Sequence, residues 1–100
     1  ALGSADTRAK LKQLMEETVL PDWEARGEEL RAVDVAPAAA TLQKIRLKIC
    51  DCYIAYAKGY AQWMDDKQAA TIREAENQLR QAKALEQEEK FLARRVTQDP

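Results

Sequence analysis

The chain has 100 residues, enough for one domain with a modest core. Hydrophobic residues make up 46% and charged residues 33%, with three glycines and three prolines, a balance typical of a folded helical protein rather than a disordered one. Histidine is absent, which excludes Ser-His-Asp and Cys-His catalytic sites and histidine-ligated zinc. The isolated glycines match no phosphate-binding loop, so an enzyme is not expected.

The charge distribution bears on possible partners. The formal net charge is −1, and a net positive segment, residues 35–64, lies between two net negative ones. This pattern favours pairing between helices over a phosphate footprint, so we predict no nucleic-acid partner. No apolar run reaches the length of a membrane span, and we predict no direct membrane insertion.

The first predicted element is one long helix over about Asp6–Val33. Its apolar residues recur at steps of three, four or seven, namely Leu11, Met15, Val19, Trp23, Leu30 and Val33. Pro21 removes one backbone donor, but the apolar stripe keeps its phase across it. We therefore predict an antiparallel bundle whose first helix is kinked near Pro21; a new helix beginning at Pro21 is the alternative. Residues 1–5 are predicted to be a cloning remnant or a disordered segment; a remnant would make the chain an excised domain of a larger protein or a mature protein whose leader was removed.

Pro37 predicts a break and then the start of a central helix over about Ala38–Met64. This helix carries apolar side chains on two sides. One stripe comprises Ile45, Ile49, Cys52, Tyr56, Tyr60 and Trp63; the other comprises Leu47, Cys50, Ile54, Ala57, Ala61 and Met64. Such a helix needs a neighbour on each side, and the stripe of small residues is the better surface for a permanent intramolecular neighbour.

A third helix is predicted over about Asp66–Arg95, followed by a frayed tail at residues 97–100. Asp65 with Gln68 three residues later has the spacing of a capping box. Without glycine or proline at this boundary, one continuous helix from Ala38 to Arg95 is the alternative. The apolar stripe of the third helix comprises Ile72, Ala75, Leu79, Ala82, Leu85, Leu92 and Val96.

The two cysteines are the first candidates for chemistry. Cys50 and Cys52 point about 200° apart on a helix, so they can neither bridge one another nor share a metal. We predict buried structural thiols, no metal and no cofactor; reduced thiols favour a cytoplasmic location. The glutamate clusters lie beside the apolar stripes and are predicted to form solvated faces.

The aromatic residues are the candidate binding site. Tyr53, Tyr56, Tyr60 and Trp63 fall on one side of the central helix, and Trp23 lies in the stripe of the first. They either complete the core or line a groove for a partner or an apolar ligand.

Residues 6–96 are thus predicted to form one all-α domain, an antiparallel three-helix bundle of long helices. The rival architecture is a helical hairpin that dimerises, so a homodimer is possible. The predicted function is a non-catalytic interaction or scaffold module that binds a protein partner through a helical face. The alternative is a small-molecule sensor or carrier that uses the aromatic groove.

Overall fold

The computed structural model describes residues 4–98, with side chains as far as Arg95. The predicted terminal segments therefore lie partly outside the described residues, as does the side chain of Val96. Within the described part of the chain all regular secondary structure is helical and is arranged as three long helices. The predicted all-α fold class is confirmed.

The first long helix is continuous but irregular next to its proline. It comprises α1 (Ala5–Leu14), a π-helical turn (Met15–Val19) and α2 (Leu20–Ala32). The Ser4 hydroxyl accepts a hydrogen bond from the backbone N–H of Thr7 and so caps α1. At the wide turn the Leu20 N–H donates to the carbonyl of Met15, five residues earlier. Such a turn is an established cause of helix bending, and it lies directly before Pro21, as the predicted kink requires.

The central helix α3 (Ala40–Asp66) follows a 3₁₀ turn at Pro37–Ala39, two residues later than predicted. It ends at Lys67, whose φ of 53° is left-handed. The last helix, α4, covers Ala69–Gln98. The break at Lys67 excludes the alternative of one continuous helix through this region.

The turn between α3 and α4 is held by Asp66 and not by the predicted Asp65. The Asp66 carboxylate accepts hydrogen bonds from the Gln68 backbone N–H at 2.8 Å and from the Thr71 hydroxyl at 3.0 Å. Asp65 instead forms an ion pair with Lys12 of α1 at 2.7 Å. Because α3 extends to Asp66, the capping carboxylate is one residue further along the chain than the sequence spacing suggested.

The three helices run antiparallel, with α3 in the middle. Ion pairs join α3 to both neighbours: Arg31–Asp51 to α2 and Arg46–Glu89 to α4, each at 3.5 Å. The packing of α3 is most extensive against α4 and less extensive against the first long helix. The backbones of the two outer helices barely approach each other, and the molecule is elongated, 55 × 23 × 20 Å. One side of α3 is therefore not closed over by its neighbours.

The core is thin and consists largely of small residues. Ala57, Ala75 and Ala82 are at most 1% exposed, and no large side chain among the described residues is as deeply buried. The predicted stripe of small residues on α3 is buried at Cys50, Ala57, Ala61 and Met64. Alanine seams bring helix backbones close together but remove little apolar area from water.

Candidate partner-binding groove

The five predicted aromatic residues form two separate groups of ring contacts rather than one groove. Trp23 of α2 stacks on Tyr53 of α3, with ring centroids 4.2 Å apart and the planes 10° from parallel. Tyr60 contacts both Tyr56 and Trp63 with tilted rings at 5.8 Å. All five side chains are half-buried.

Tyr53 links all three long helices. Its ring stacks on Trp23, and its hydroxyl donates a hydrogen bond to Glu86 of α4. Burial, the hydrogen bond to Glu86 and the negative charge of that carboxylate together raise the pKa of Tyr53 to about 12. Glu86, which the sequence placed on a solvated face, is half-buried by this contact. Tyr53 therefore acts as a structural link.

The second group lies beside α4. Burial raises the pKa of Tyr56, and the neighbouring Tyr60 and Glu76 raise it further. Trp63 is half-buried one turn beyond Tyr60, near the α3–α4 turn. None of these three side chains lines the groove described next.

A surface groove of about 390 Å³ opens between α2 and α3. Its lining comprises Trp23, Arg26, Glu29, Leu30, Val33 and Cys50. Trp23 is the only member of the predicted aromatic site. The sequence had indicated Leu30 and Val33 as part of the first apolar stripe, but not that they stay uncovered. Val33 is 56% exposed and Leu30 is half-buried, so the stripe continues beyond what α3 covers.

Charged side chains border the groove on the α2 side. The Arg26 guanidinium lies over the Trp23 ring, 4.5 Å from its centroid, and pairs with Asp22 at 3.1 Å. Cation–π contacts of this kind hold an aromatic ring in place. Glu29 forms no ion pair with any described residue, so its negative charge is available to a partner.

The thiol of Cys50 forms part of the groove lining and is 3% exposed. Burial is the main cause that raises its pKa, with a smaller contribution from Asp51 and partial opposition from Arg26 and Arg31. Burial and Asp51 likewise raise the pKa of Cys52. Both cysteines are free and buried, as predicted, and both stay protonated at neutral pH.

No protein-family model, curated protein or solved structure matches this chain. Among residues 4–98, none of the helices combines the length and apolar character needed to cross a bilayer. In the same residues, no three side chains of the metal-binding types come together as ligands. The candidate site thus rests on the geometry of the groove.

Proposed function

We propose that this protein is a non-catalytic helical interaction module that binds a protein partner through the groove between α2 and α3. The observation that carries the proposal is the partly exposed apolar wall of Trp23, Leu30 and Val33, bordered by Arg26 and Glu29. Protein interfaces combine an apolar centre containing aromatic and arginine side chains with a polar rim. The groove has both components.

The overall shape supports the same proposal. The accessible surface of the chain is 6906 Å², whereas a compact monomer of its 11.3 kDa mass exposes about 5,700 Å² by the scaling of folded proteins. The radius of gyration is 16.2 Å, against about 13 Å for a compact domain of this length. A standard interface buries about 800 Å² per partner, which is within the excess surface. A partner bound on the side of α3 that its neighbours leave open would cover large side chains that the alanine-rich helix contacts leave half-exposed.

The chemistry of the described residues favours binding over catalysis. Both thiols have a pKa above the ordinary value, so neither is an activated nucleophile at neutral pH. The pKa of Tyr53 is also raised, and its hydroxyl already donates a hydrogen bond to Glu86.

Site-specific photocrosslinking in cells of the source organism tests the proposal. A benzophenone amino acid replaces Val33 in one variant and Ala25 in a control; both positions are exposed, and Ala25 does not line the groove. We expect protein adducts from position 33 and none from position 25, with circular dichroism reporting an intact fold for both. Equal adducts at the two positions, or none at position 33, would overturn the proposal.

The size of the groove favours a second candidate function, a small-molecule sensor or carrier. A volume of about 390 Å³ lies within the range of ligand pockets, and the lining offers Arg26 to an anionic group. Tryptophan emission tests this function with a panel of fatty acids and aromatic carboxylates. The chain has two tryptophans, Trp23 and Trp63, so Trp23→Phe shows which one responds. A ligand-induced change in tryptophan emission that is abolished in Trp23→Phe supports the carrier function. Constant emission across the panel excludes that function.

A further inference from the structure

We propose that the partner is a second copy of this chain, with Phe91 of each copy seated in the groove of the other and Arg95 placed beside Glu29. The inference rests on the proposed function and adds the identity of the partner.

Phe91 is the natural anchor because it projects away from its own bundle. It is 61% exposed, the most exposed of the large hydrophobic side chains among the described residues. It lies nine residues after the fully buried Ala82, which at 100° per residue places it on the opposite side of α4 from α3. The one phenylalanine of the sequence is thus presented to solvent on a face of α4 that the other described helices do not cover.

The charges around Phe91 and around the groove are complementary. Residues 15–34, which include α2, carry seven acidic and two basic residues, whereas residues 90–95 carry three basic and no acidic ones. The Arg95 guanidinium lies 5.9 Å from the centroid of the Phe91 ring, and no described carboxylate pairs with it. Glu29 on the groove wall has no ion-pair partner among the described residues. A Phe91 ring entering the groove would therefore bring Arg95 to an acidic surface.

The positions of the two features along the molecule allow a closed dimer. Tyr53 stacks on Trp23 of the groove and bonds to Glu86 of α4, so the groove and the Phe91 end of α4 lie at the same end of the bundle. A two-fold axis near that end makes both contacts at once, each copy giving one Phe91 and receiving one. The excess surface of the monomer is sufficient for an interface of standard size.

Analytical ultracentrifugation of the full chain over a concentration series tests the inference. We expect a monomer–dimer equilibrium whose dissociation constant rises by about tenfold or more in Phe91→Ala, the loss expected when an anchor side chain is removed. Leu14→Ala is the matched control, since Leu14 is also an exposed large hydrophobic side chain but lies in α1, away from the groove. It should leave the equilibrium unchanged.

A charge exchange tests the second contact. Glu29→Arg and Arg95→Glu should each weaken the dimer, and the double variant should recover most of the loss, because both side chains are exposed and their replacement leaves the fold intact. A dimer unaffected by Phe91→Ala, or oligomers that grow without closing, would overturn the inference.

The failure of this inference is distinguishable from failure of the proposed function. A chain that is monomeric at all concentrations, but gives adducts of a different protein from position 33, refutes the second copy and retains the interaction module. Adducts with the mass of two copies support both, and the absence of adducts at position 33 refutes both.

Discussion

Gly59 of α3 and Ala75 of α4 pack directly against each other between the two helices. A Cβ atom on Gly59 would lie 3.0 Å from the Cβ of Ala75 and 3.5 Å from its Cα. Ala75 is 1% exposed, and Ala82, two turns further along α4, is fully buried. Small side chains two turns apart on α4 let the two helices pack closely, and glycine at position 59 avoids a tight Cβ–Cβ contact with Ala75.

Gly27 and Gly59 provide a matched pair of Gly→Ala substitutions with opposite expected signs. Alanine in a helix interior is favoured over glycine by about 1 kcal/mol. At Gly27 the added Cβ would lie 3.8 Å from the Cys50 Cβ and 3.4 Å from the flexible end of Arg31, so there is room for it. Gly27→Ala should therefore raise the free energy of unfolding by about 0.5–1 kcal/mol.

At Gly59 the added Cβ would lie 3.0 Å from the Ala75 Cβ, which is fixed to the α4 backbone, so relieving the contact requires a shift of one helix against the other. Overpacking typically costs about 1–3 kcal/mol, more than the gain in helix propensity, so Gly59→Ala should lower the free energy of unfolding by about 1 kcal/mol. Urea denaturation of both variants checks the pair. Equal stabilisation by the two substitutions would show that the α3–α4 seam is looser than described.

Tyr53→Phe is expected to weaken the link between α3 and α4 while keeping the stack on Trp23. The lost hydrogen bond to Glu86 should cost about 0.5–1.5 kcal/mol at neutral pH. The folded state raises the pKa of Tyr53 to about 12, above the value near 10 of the unfolded chain. The contribution of the Tyr53–Glu86 hydrogen bond to the free energy of unfolding is therefore fully present below pH 10 and is lost as the pH rises through about 12.

Tyrosinate absorbance during an alkaline titration measures this directly. In the wild type Tyr53 should be the last tyrosine to ionise, since the pKa of Tyr56 is also raised, and Tyr53→Phe should remove the step near pH 12. The stability difference between the two proteins should shrink above pH 10. An ordinary pKa for every tyrosine of the wild type would contradict the half-buried hydrogen bond from Tyr53 to Glu86.

Helical periodicity was sufficient to predict the main architecture. Pro37 and the two apolar stripes of α3 determine where the central helix begins and that it needs two neighbours, and short connections make those neighbours antiparallel. The turn carboxylate was assigned to Asp65 instead of Asp66, because α3 extends two residues beyond its predicted end at Met64. Such boundaries depend on tertiary packing as well as on local sequence.

The groove was not predictable from the same patterns. Leu30 and Val33 belong to a regular apolar stripe, and the stripe alone does not show that the packed helices leave Val33 56% exposed and Leu30 half-buried. A helical wheel also places Tyr53 and Tyr56 on one side of α3, but it contains no information on which residue of α2 lies opposite each of them. The stack of Trp23 on Tyr53 is determined by the register between two helices, which no single stripe encodes.

The two thiols should be unreactive in the folded protein. Cys50 and Cys52 are 3% and 8% exposed, and burial raises the pKa of both, so the thiolate is scarce and inaccessible. Iodoacetamide at neutral pH should modify neither residue in native buffer and both in denaturant, as counted by mass spectrometry. Rapid modification of Cys50 in native buffer, located by peptide mapping, would mean that the groove opens to expose this thiol.

Among the described residues, Lys67 is the one non-glycine residue with a positive φ, and it lies in the left-handed conformation at the end of α3. A left-handed conformation costs an ordinary residue about 1–2 kcal/mol, whereas glycine adopts it freely and is the usual residue at this position. Part of that gain is offset because glycine also makes the unfolded chain more flexible. Lys67→Gly should therefore raise the free energy of unfolding by about 0.5–1 kcal/mol, as measured by urea denaturation. Lys67→Ala is the control, because it removes the same side chain but keeps the left-handed backbone strain, and it should not raise the free energy of unfolding. If alanine stabilised the protein as much as glycine, the lysine side chain and not the backbone conformation would be the unfavourable element.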